Sequence, residues 1–414
     1  MRNSLGSVLR RLVPPRTSVC VLSLCAVTAA GGVAAAPHVH GAPPADHGAG
    51  VETPALPASV PTALPASPAR SQHAEEAEEV PFTQRFHAVQ HGGIVRAANV
   101  SITCRGAEST STPADGGEAV SCADARAGKA AATNDEFDMF YTDVDSDANT
   151  YNSSRAELRV PSGSKVSYAR LYWGGNLRAG EQKPAVDNDR VLVAEPEGQY
   201  KEVLADSVVG HRTAGGADAF QASADVTAQV RAGGSGQWTV GQVNVAMGTS
   251  GAGAWGGWTL VVAYEKQSEP LRQLALWDGF AYLGEGHHEA AVRLDGVTVP
   301  AGGGGTAGFV AYNGDAGTTG DALSVSVGRR EGSTLKDARN PAGDLLNSTV
   351  NEPGTQGSRN PSYVGTLGYD SDVFDLGDAV AAGGGRLDVR LTSEKDVAWA
   401  GVLFAAVDTD ADAR

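Results

Sequence analysis

From about Phe82 to Val407 the apolar residues come in short runs that alternate with polar ones and are cut by glycine-rich turns. In Tyr168–Trp173, Ala169, Leu171 and Trp173 fall on one side and Tyr168, Arg170 and Tyr172 on the other, the period of two that a strand imposes. Trp238–Val245 reads as a further strand. Trp258–Tyr264 is apolar at both parities, which predicts a central strand covered on both faces. Leu274 and Leu276 alternate; so do Leu323, Val325 and Val327, and again Leu387, Val389 and Leu391, before a last strand over Trp399–Val407. Asp295-Gly296, set between Val292–Leu294 and Val297–Val299, predicts a two-residue hairpin, because a type I′ turn needs positive φ at both positions. One short helix is expected, Val226–Val230, capped by Asp225 and stopped by Gly233-Gly234. Period two dominates and long period-3.6 stripes are missing, so the class is all-β, a jelly-roll-like β-sandwich.

This stretch of ~325 residues is long for one sandwich. A break near Ser268-Glu269-Pro270 divides it into two packed lobes, 81–268 and 269–408, followed by a polar tail over 409–414. The halves echo each other faintly: an Asp-x-Asp element leads to a Trp-bearing strand from Asp143 to Trp173, and again from Asp370 to Trp399.

Ahead of the strands the texture differs. Arg2, Arg10, Arg11 and Arg16 precede an apolar stretch from Val19 to Ala30 and the small residues Val33–Ala36, the order of a secretory leader over 1–36. Its apolar core is too short to span a bilayer as a helix, which takes roughly twenty residues. Cleavage is expected after Ala35. Residues 37–80 are rich in Pro and Ala and close on Glu75–Glu79; with hardly an aromatic or β-branched residue they read as an extended, disordered linker. The leader carries Cys20 and Cys25, so Cys104 and Cys122 remain. In an exported chain two cysteines read as one disulfide; a metal pair lacks a second Cys or His pair at ligand spacing. Without the leader's four arginines the chain holds 28 basic and 48 acidic residues, a net charge of −20. That argues against nucleic acid, where a basic patch supplies most of the affinity. No second apolar span follows the leader, so the expected location is secreted, or wall-associated without a covalent anchor.

Several strings stand together: GGIVRAANVSITC before Cys104, YTDVDSDANTYNSS over Tyr141–Ser154, ARLYWGG over Ala169–Gly175, ADVTAQV over Ala224–Val230, GAWGGWTLVVAYE over Gly253–Glu265, LRQLALWDGF over Leu271–Phe280, GDAGTTGD over Gly314–Asp321, LLNSTV over Leu345–Val350 and GYDSDVFDL over Gly368–Leu376. In this set the chain resembles the β-rich N-terminal domain of uncharacterised secreted and cell-wall proteins of actinobacteria. The resemblance implies an export-competent β module, covers nearly all of 82–408, and brings no activity with it. In those relatives tandem β-sandwich repeats and a sorting signal often follow; here the sequence departs from that pattern.

The candidate chemistry is sparse. Asp143, Asp145, Asp147 and Asn149 alternate as hard oxygen ligands for Ca²⁺, although an EF-hand would need Gly where Ala148 stands and Glu where Ser154 stands. Asp370, Asp372 and Asp375 form a second acidic set. Calcium at either would be structural; the plainer alternative is a solvated acidic loop. Of six tryptophans, Trp255, set among glycines, is the candidate for an exposed face on which a sugar stacks; core filling is the alternative. His87, His91, His211, His287 and His288 lack a nucleophile elbow or a zinc motif around them. The expectation is therefore an exported, non-enzymatic module with a binding or structural role at the cell surface, its partner a cell-envelope glycan or a surface protein. The alternative is a carbohydrate-binding or carbohydrate-active domain, which rests on fold analogy.

Overall fold

A computed structural model describes residues 80–410, apart from positions 115 and 355. The expected leader, all but the last residue of the linker, and residues 411–414 lie outside the described residues. The described chain is an all-β sandwich assembly with three short α-helices.

Eleven strands precede residue 268: β1 (Val80–Val100), β2 (Ile102–Cys104), β3 (Met139–Tyr141), β4 (Ser153–Leu158), β5 (Lys165–Asn176), β6 (Arg190–Ala194), β7 (Lys201–Leu204), β8 (Ser207–Ala214), β9 (Ala217–Asp225), β10 (Gly236–Gly241) and β11 (Gly256–Glu265). Helices α1 (Cys122–Arg126) and α2 (Thr227–Gly233) lie among them. Then come β12 (Leu271–Leu283), β13 (Glu289–Val299), β14 (Gly305–Tyr312), β15 (Ala322–Val327), β16 (Ser333–Thr334), β17 (Val350–Asn351), β18 (Arg359–Asn360), β19 (Tyr369–Asp375), helix α3 (Gly377–Val380), β20 (Gly384–Thr392) and β21 (Ala398–Asp408).

A ten-stranded sheet runs β17-β19-β14-β21-β12-β1-β11-β5-β9-β8. Its middle strand, β1, serves both halves: Val80–His91 pairs antiparallel with β12, and Gly92–Val100 antiparallel with β11. The switch falls at Gly92, whose φ is +139° and whose Cβ, if it had one, would lie 2.0 Å from the Tyr264 carbonyl oxygen. Only glycine takes that turn at that distance. Each half carries a second sheet outside it, β18-β4-β10-β6-β7 over the first and β13-β20-β15-β16 over the second.

Strand parity fills three cores. Leu171, Trp173, Trp258 and Leu260 of the first half pack under Ala156, Val191, Val193 and Trp238 of its outer sheet. Phe309, Leu403 and Ala405 of the second pack under Leu323, Val325, Leu387 and Val389. The opposite parity of both halves meets in a third core: Tyr172, Trp255 and Val261 from one side, Phe280, Tyr312, Trp399 and Phe404 from the other. Gly210 lets β8 lie against Phe280, where a Cβ would stand 2.4 Å from the ring. The order of layers is thus outer sheet, half-sheet, half-sheet, outer sheet.

Eight strands of one half correspond in order to eight of the other, while β2, β3, β8, β17 and β18 have no counterpart. Outward from the middle, β1-β11-β5-β9 matches β12-β21-β14-β19, and β4-β10-β6-β7 matches β13-β20-β15-β16. The sequence echo follows a different register from the one expected. Asp225–Gly234 (DVTAQVRAGG) lies over Asp375–Gly384 (DLGDAVAAGG), with Val226 and Leu376, and Val230 and Val380, buried alike. In both, the aspartate accepts from the backbone N–H two residues on, Thr227 at 2.8 Å and Gly377 at 2.7 Å. The division in chain order is not clean, since β18, from the second half, extends the first half's outer sheet beside β4.

Two local expectations fail. Asp295-Gly296 makes no hairpin: β13 continues through it along β20, with Leu294 opposite Leu387 and Thr298 opposite Gly385, so the positive φ of Gly296 serves a bulge. The strand begun at Trp238 ends at Gly241, and Gln242 turns out of it with φ +62°. Cys104 and Cys122 form the disulfide, tying β2 to α1 across a Cα separation of 5.9 Å.

Candidate functional site

Asp143, Asp145 and Asp147 turn their carboxylates to the loop's own backbone. Asp145 N donates to Asp143 Oδ1 at 3.5 Å, Asp147 N to Asp145 Oδ1 at 3.0 Å, and Asn149 N to Asp147 Oδ1 at 2.9 Å. This chain of Asx turns uses one oxygen of each acid. Ser153 Oγ also donates to Asp143, and Tyr200 OH to Asp145 Oδ2 at 2.5 Å. Partial burial raises the Asp145 carboxyl, but the hydrogen bonds from Tyr200 and Asp147 outweigh it and hold it below the usual range.

The second acidic set is not a solvated loop. Asp370 and Asp372 lie on β19 with no exposed surface. Asp370 Oδ1 accepts from Thr349 N at 3.0 Å and Asp372 Oδ1 from Asn351 N at 2.8 Å, pinning the segment that forms β17. Burial drives both carboxyls upward, Asp372 to about 7 despite Arg96 nearby. Asp375 is exposed instead, and its Oδ1 accepts from Gly377 N at 2.7 Å, just ahead of α3. Among the described residues no group of three His, Cys, Asp or Glu is arranged to hold a metal ion.

Trp255 is fully buried rather than exposed: its indole N–H donates to Ala252 O at 3.1 Å and its ring packs against Tyr312 in the third core. The glycines around it admit a close neighbour, not solvent. The other five tryptophans are buried as well, so none offers a stacking platform. His87 and His91, on β1, face Gln273 and the Glu269 carbonyl.

Two arrangements lay beyond the sequence reading. The first is a groove of about 720 Å³ on the outer sheet of the first half. Its floor is the outward parity of β4 and β10, Arg155, Gln237 and Thr239, whose alternate neighbours Ala156, Trp238 and Val240 enter the core. Its walls are the Asp145–Asp147 turn, the Glu195–Tyr200 loop and Ser358–Asn360. Arg155 Nε donates to Thr239 Oγ1 at 3.2 Å, and Gln237 Nε2 to Ser358 Oγ at 2.6 Å. Among the described residues Arg155 forms no ion pair. The equivalent face of the second half is closed by its own charges: Asp388 holds Arg293 at 2.9 Å and Arg386 at 2.7 Å, and Glu289 holds Arg390 at 3.2 Å.

The second is a cavity of about 260 Å³ lined by Asn134, Asp135, Asn313, Asp315, Lys395 and Asp396, among others. Asp315 N donates to Asp396 Oδ2 at 2.8 Å, and Asn134 Nδ2 to Asn313 Oδ1 at 3.0 Å and Asp315 Oδ1 at 3.3 Å. Burial and the Asp135 charge push the Asp315 carboxyl to about 7; burial and Asp315 push Asp396 to about 9. This pair holds a proton at neutral pH. Asp315 lies inside the GDAGTTGD string, but nothing in either segment's local pattern signals that the two loops meet.

No protein-family model matches the chain, and no curated protein matches it. Among solved structures, a recombinant N-glycanase F (PNGase F) aligns at 11% identity and TM-score 0.21, over 68% of this chain and 93% of that one. PNGase F, a glycosylasparaginase from Flavobacterium meningosepticum, aligns at 10% identity and TM-score 0.21, over 68% and 94%. At that score the likeness carries no argument about activity.

Proposed function

We propose that the protein is an exported, non-catalytic binding module whose outer groove on the first half takes a cell-envelope glycan. The observation that supports this most is the contrast between the two repeats. The second outer face neutralises its charges across its own strands, whereas the first presents Arg155, Gln237 and Thr239 in a walled groove with no carboxylate on the guanidinium. Hydroxyl-rich ligands are recognised by such convergent donors and acceptors, and a groove of this size lies within the range of small-ligand sites. With the tryptophans buried, hydrogen bonds rather than ring stacking hold the sugar.

The test is retention of the purified protein on insoluble cell-wall glycan, chitin and cellulose, in calcium and in chelator. Retention on one polymer is expected; loss on chelation would assign calcium to Asp145 and Asp147 at the groove wall. No retention on any of the three would refute the proposal for those polymers.

A further inference from the structure

On the outer sheet of the first half, the outward row of side chains continues past the groove. Along β10, Gly241 follows Gln237 and Thr239 at the same parity. Thr239 stands opposite Arg155 on β4 and Ala194 on β6, inside the groove. Gly241 stands opposite Ser153 and Leu192, and Leu192 opposite Glu202 on β7. At Gly241 the sheet is covered: a Cβ there would lie 2.9 Å from Thr150 Cγ2 and 3.4 Å from Tyr200 OH. The Asp145 turn and Tyr200 thus form a ridge across the sheet, fastened by the bond from Tyr200 OH to Asp145 Oδ2. Beyond it, Leu192 and Glu202 line a second pocket of about 310 Å³.

Groove and pocket share a wall. Gln242 lines the pocket, leaves the strand in a left-handed conformation with φ +62°, and donates from Nε2 to Asn149 O in the turn that bounds the groove. Most ionic groups of the pocket are paired, Arg190 with Asp187 at 2.7 Å and Lys183 with Glu181 at 3.2 Å. Glu202 is exposed and forms no ion pair among the described residues. It lies three strands and one two-residue step from Arg155, roughly 16 Å at ordinary strand spacing and rise. A single sugar ring is shorter than that. The face therefore offers a hydrogen-bond donor at one end and an acceptor at the other. Asp145, Asp147 and Glu197 along the groove wall add negative charge, which repels a polyanionic chain.

We propose that this pocket is a second subsite of the groove, and that the ligand is a linear, uncharged glycan of several units that crosses the Tyr200 ridge to reach Glu202. The inference rests on the glycan reading of the groove and narrows it. Arg155 donates to hydroxyls at one end and Glu202 accepts from them at the other, so affinity grows with chain length until both ends are engaged.

The test is calorimetric titration of the purified protein with chito- and cello-oligosaccharides of two, four and six units and with size-sorted fragments of cell-wall glycan. The expected result is an affinity that rises by about tenfold or more from two units to six, a gain that Glu202→Ala and Leu192→Trp each remove. Leu192 is half-buried on the outward side, where tryptophan fills the pocket; if that variant fails to fold, Glu202→Ala at its exposed position serves the same comparison. Six units bound no more tightly than two, or a gain with length that both variants keep, overturns the second subsite and leaves the groove. No binding at any length overturns the subsite and the glycan reading together.

Discussion

Asp278 on β12 has no exposed side-chain surface, yet it gathers charge from both halves of the large sheet. Arg85 Nε and Nη2 each reach it at 2.8 Å, Tyr172 OH donates at 3.1 Å, and Arg170 Nε lies at 3.7 Å. Removing one partner of such a cluster leaves buried charge unpaired. Asp278→Ala is expected to cost about 3–5 kcal/mol in urea unfolding, whereas a surface pair such as Arg390–Glu289 is expected to cost under 1 kcal/mol. The buried carboxyls of Asp315, Asp396 and Asp372 act in the opposite sense to an ordinary ion pair. Their folded pKa values are raised, so the folded state keeps protons that the unfolded chain releases near pH 4. Their contribution is complete below that pH and is lost as pH rises through about 7 and about 9. Tm should therefore fall from pH 5 to pH 9.5, and Asp396→Asn should flatten the fall; a Tm that climbs across this window contradicts the assignment. At this scale the sequence was a partial guide. Alternation told which of Tyr168–Trp173 share a face, but not that both faces are covered. Glycines around Trp255 read as exposure because sequence does not say whether space beside a glycine holds solvent or, as here, a neighbouring strand.

At the scale of elements the local patterns held where tertiary pairing agreed with them. The alternating runs at Leu323–Val327 and Leu387–Leu391 became paired strands of one outer sheet. Asp225 does bind a helix-start N–H, although α2 begins one residue later than expected. The Asp295-Gly296 turn signal failed because β20 offers a continuous partner to both flanks, and a bulge satisfies the same glycine. Two elements make testable hinges of stability. Gly92→Ala forces a Cβ onto a carbonyl where β1 changes partners, and should destabilise by more than about 2 kcal/mol. Circular dichroism melts of that variant beside Gly296→Ala would separate a clash from the cost of positive φ alone, since Gly296 has open space where a Cβ would stand. Replacing Cys104 and Cys122 together by serine should cost about 3 kcal/mol on the loop-entropy account, measured against the oxidised protein in the same denaturant.

For the whole molecule, the repeat explains the architecture and the divergence of its copies suggests the function. Two similar sandwiches are joined through β1 and folded face to face, so β11, β12 and β21 are buried over nearly their whole length, while Val80–His91 of β1 stays partly exposed. The second outer sheet pairs Arg293, Arg386 and Arg390 with Asp388 and Glu289; the first carries ion pairs of its own, Lys201–Glu195 and Arg159–Glu157, but keeps a walled groove in which Arg155 and Gln237 bond only to neutral partners. Two packed lobes and a faint duplication were legible in the sequence; the sharing of β1 between them and the groove were not, because both depend on which strands neighbour each other, and short alternating strands resemble one another too closely to specify partners. The measurement that tests the account most directly compares two double variants in the polymer-retention assay, Arg155→Ala with Gln237→Ala on the first outer sheet and Arg293→Ala with Arg390→Ala on the second. Loss of a hydrogen-bonding guanidinium and an amide should weaken retention by about tenfold or more in the first pair and leave the second at the level of the unaltered protein. Equal retention by the two variants, or a loss confined to the second, would contradict the assignment of binding to the first sheet.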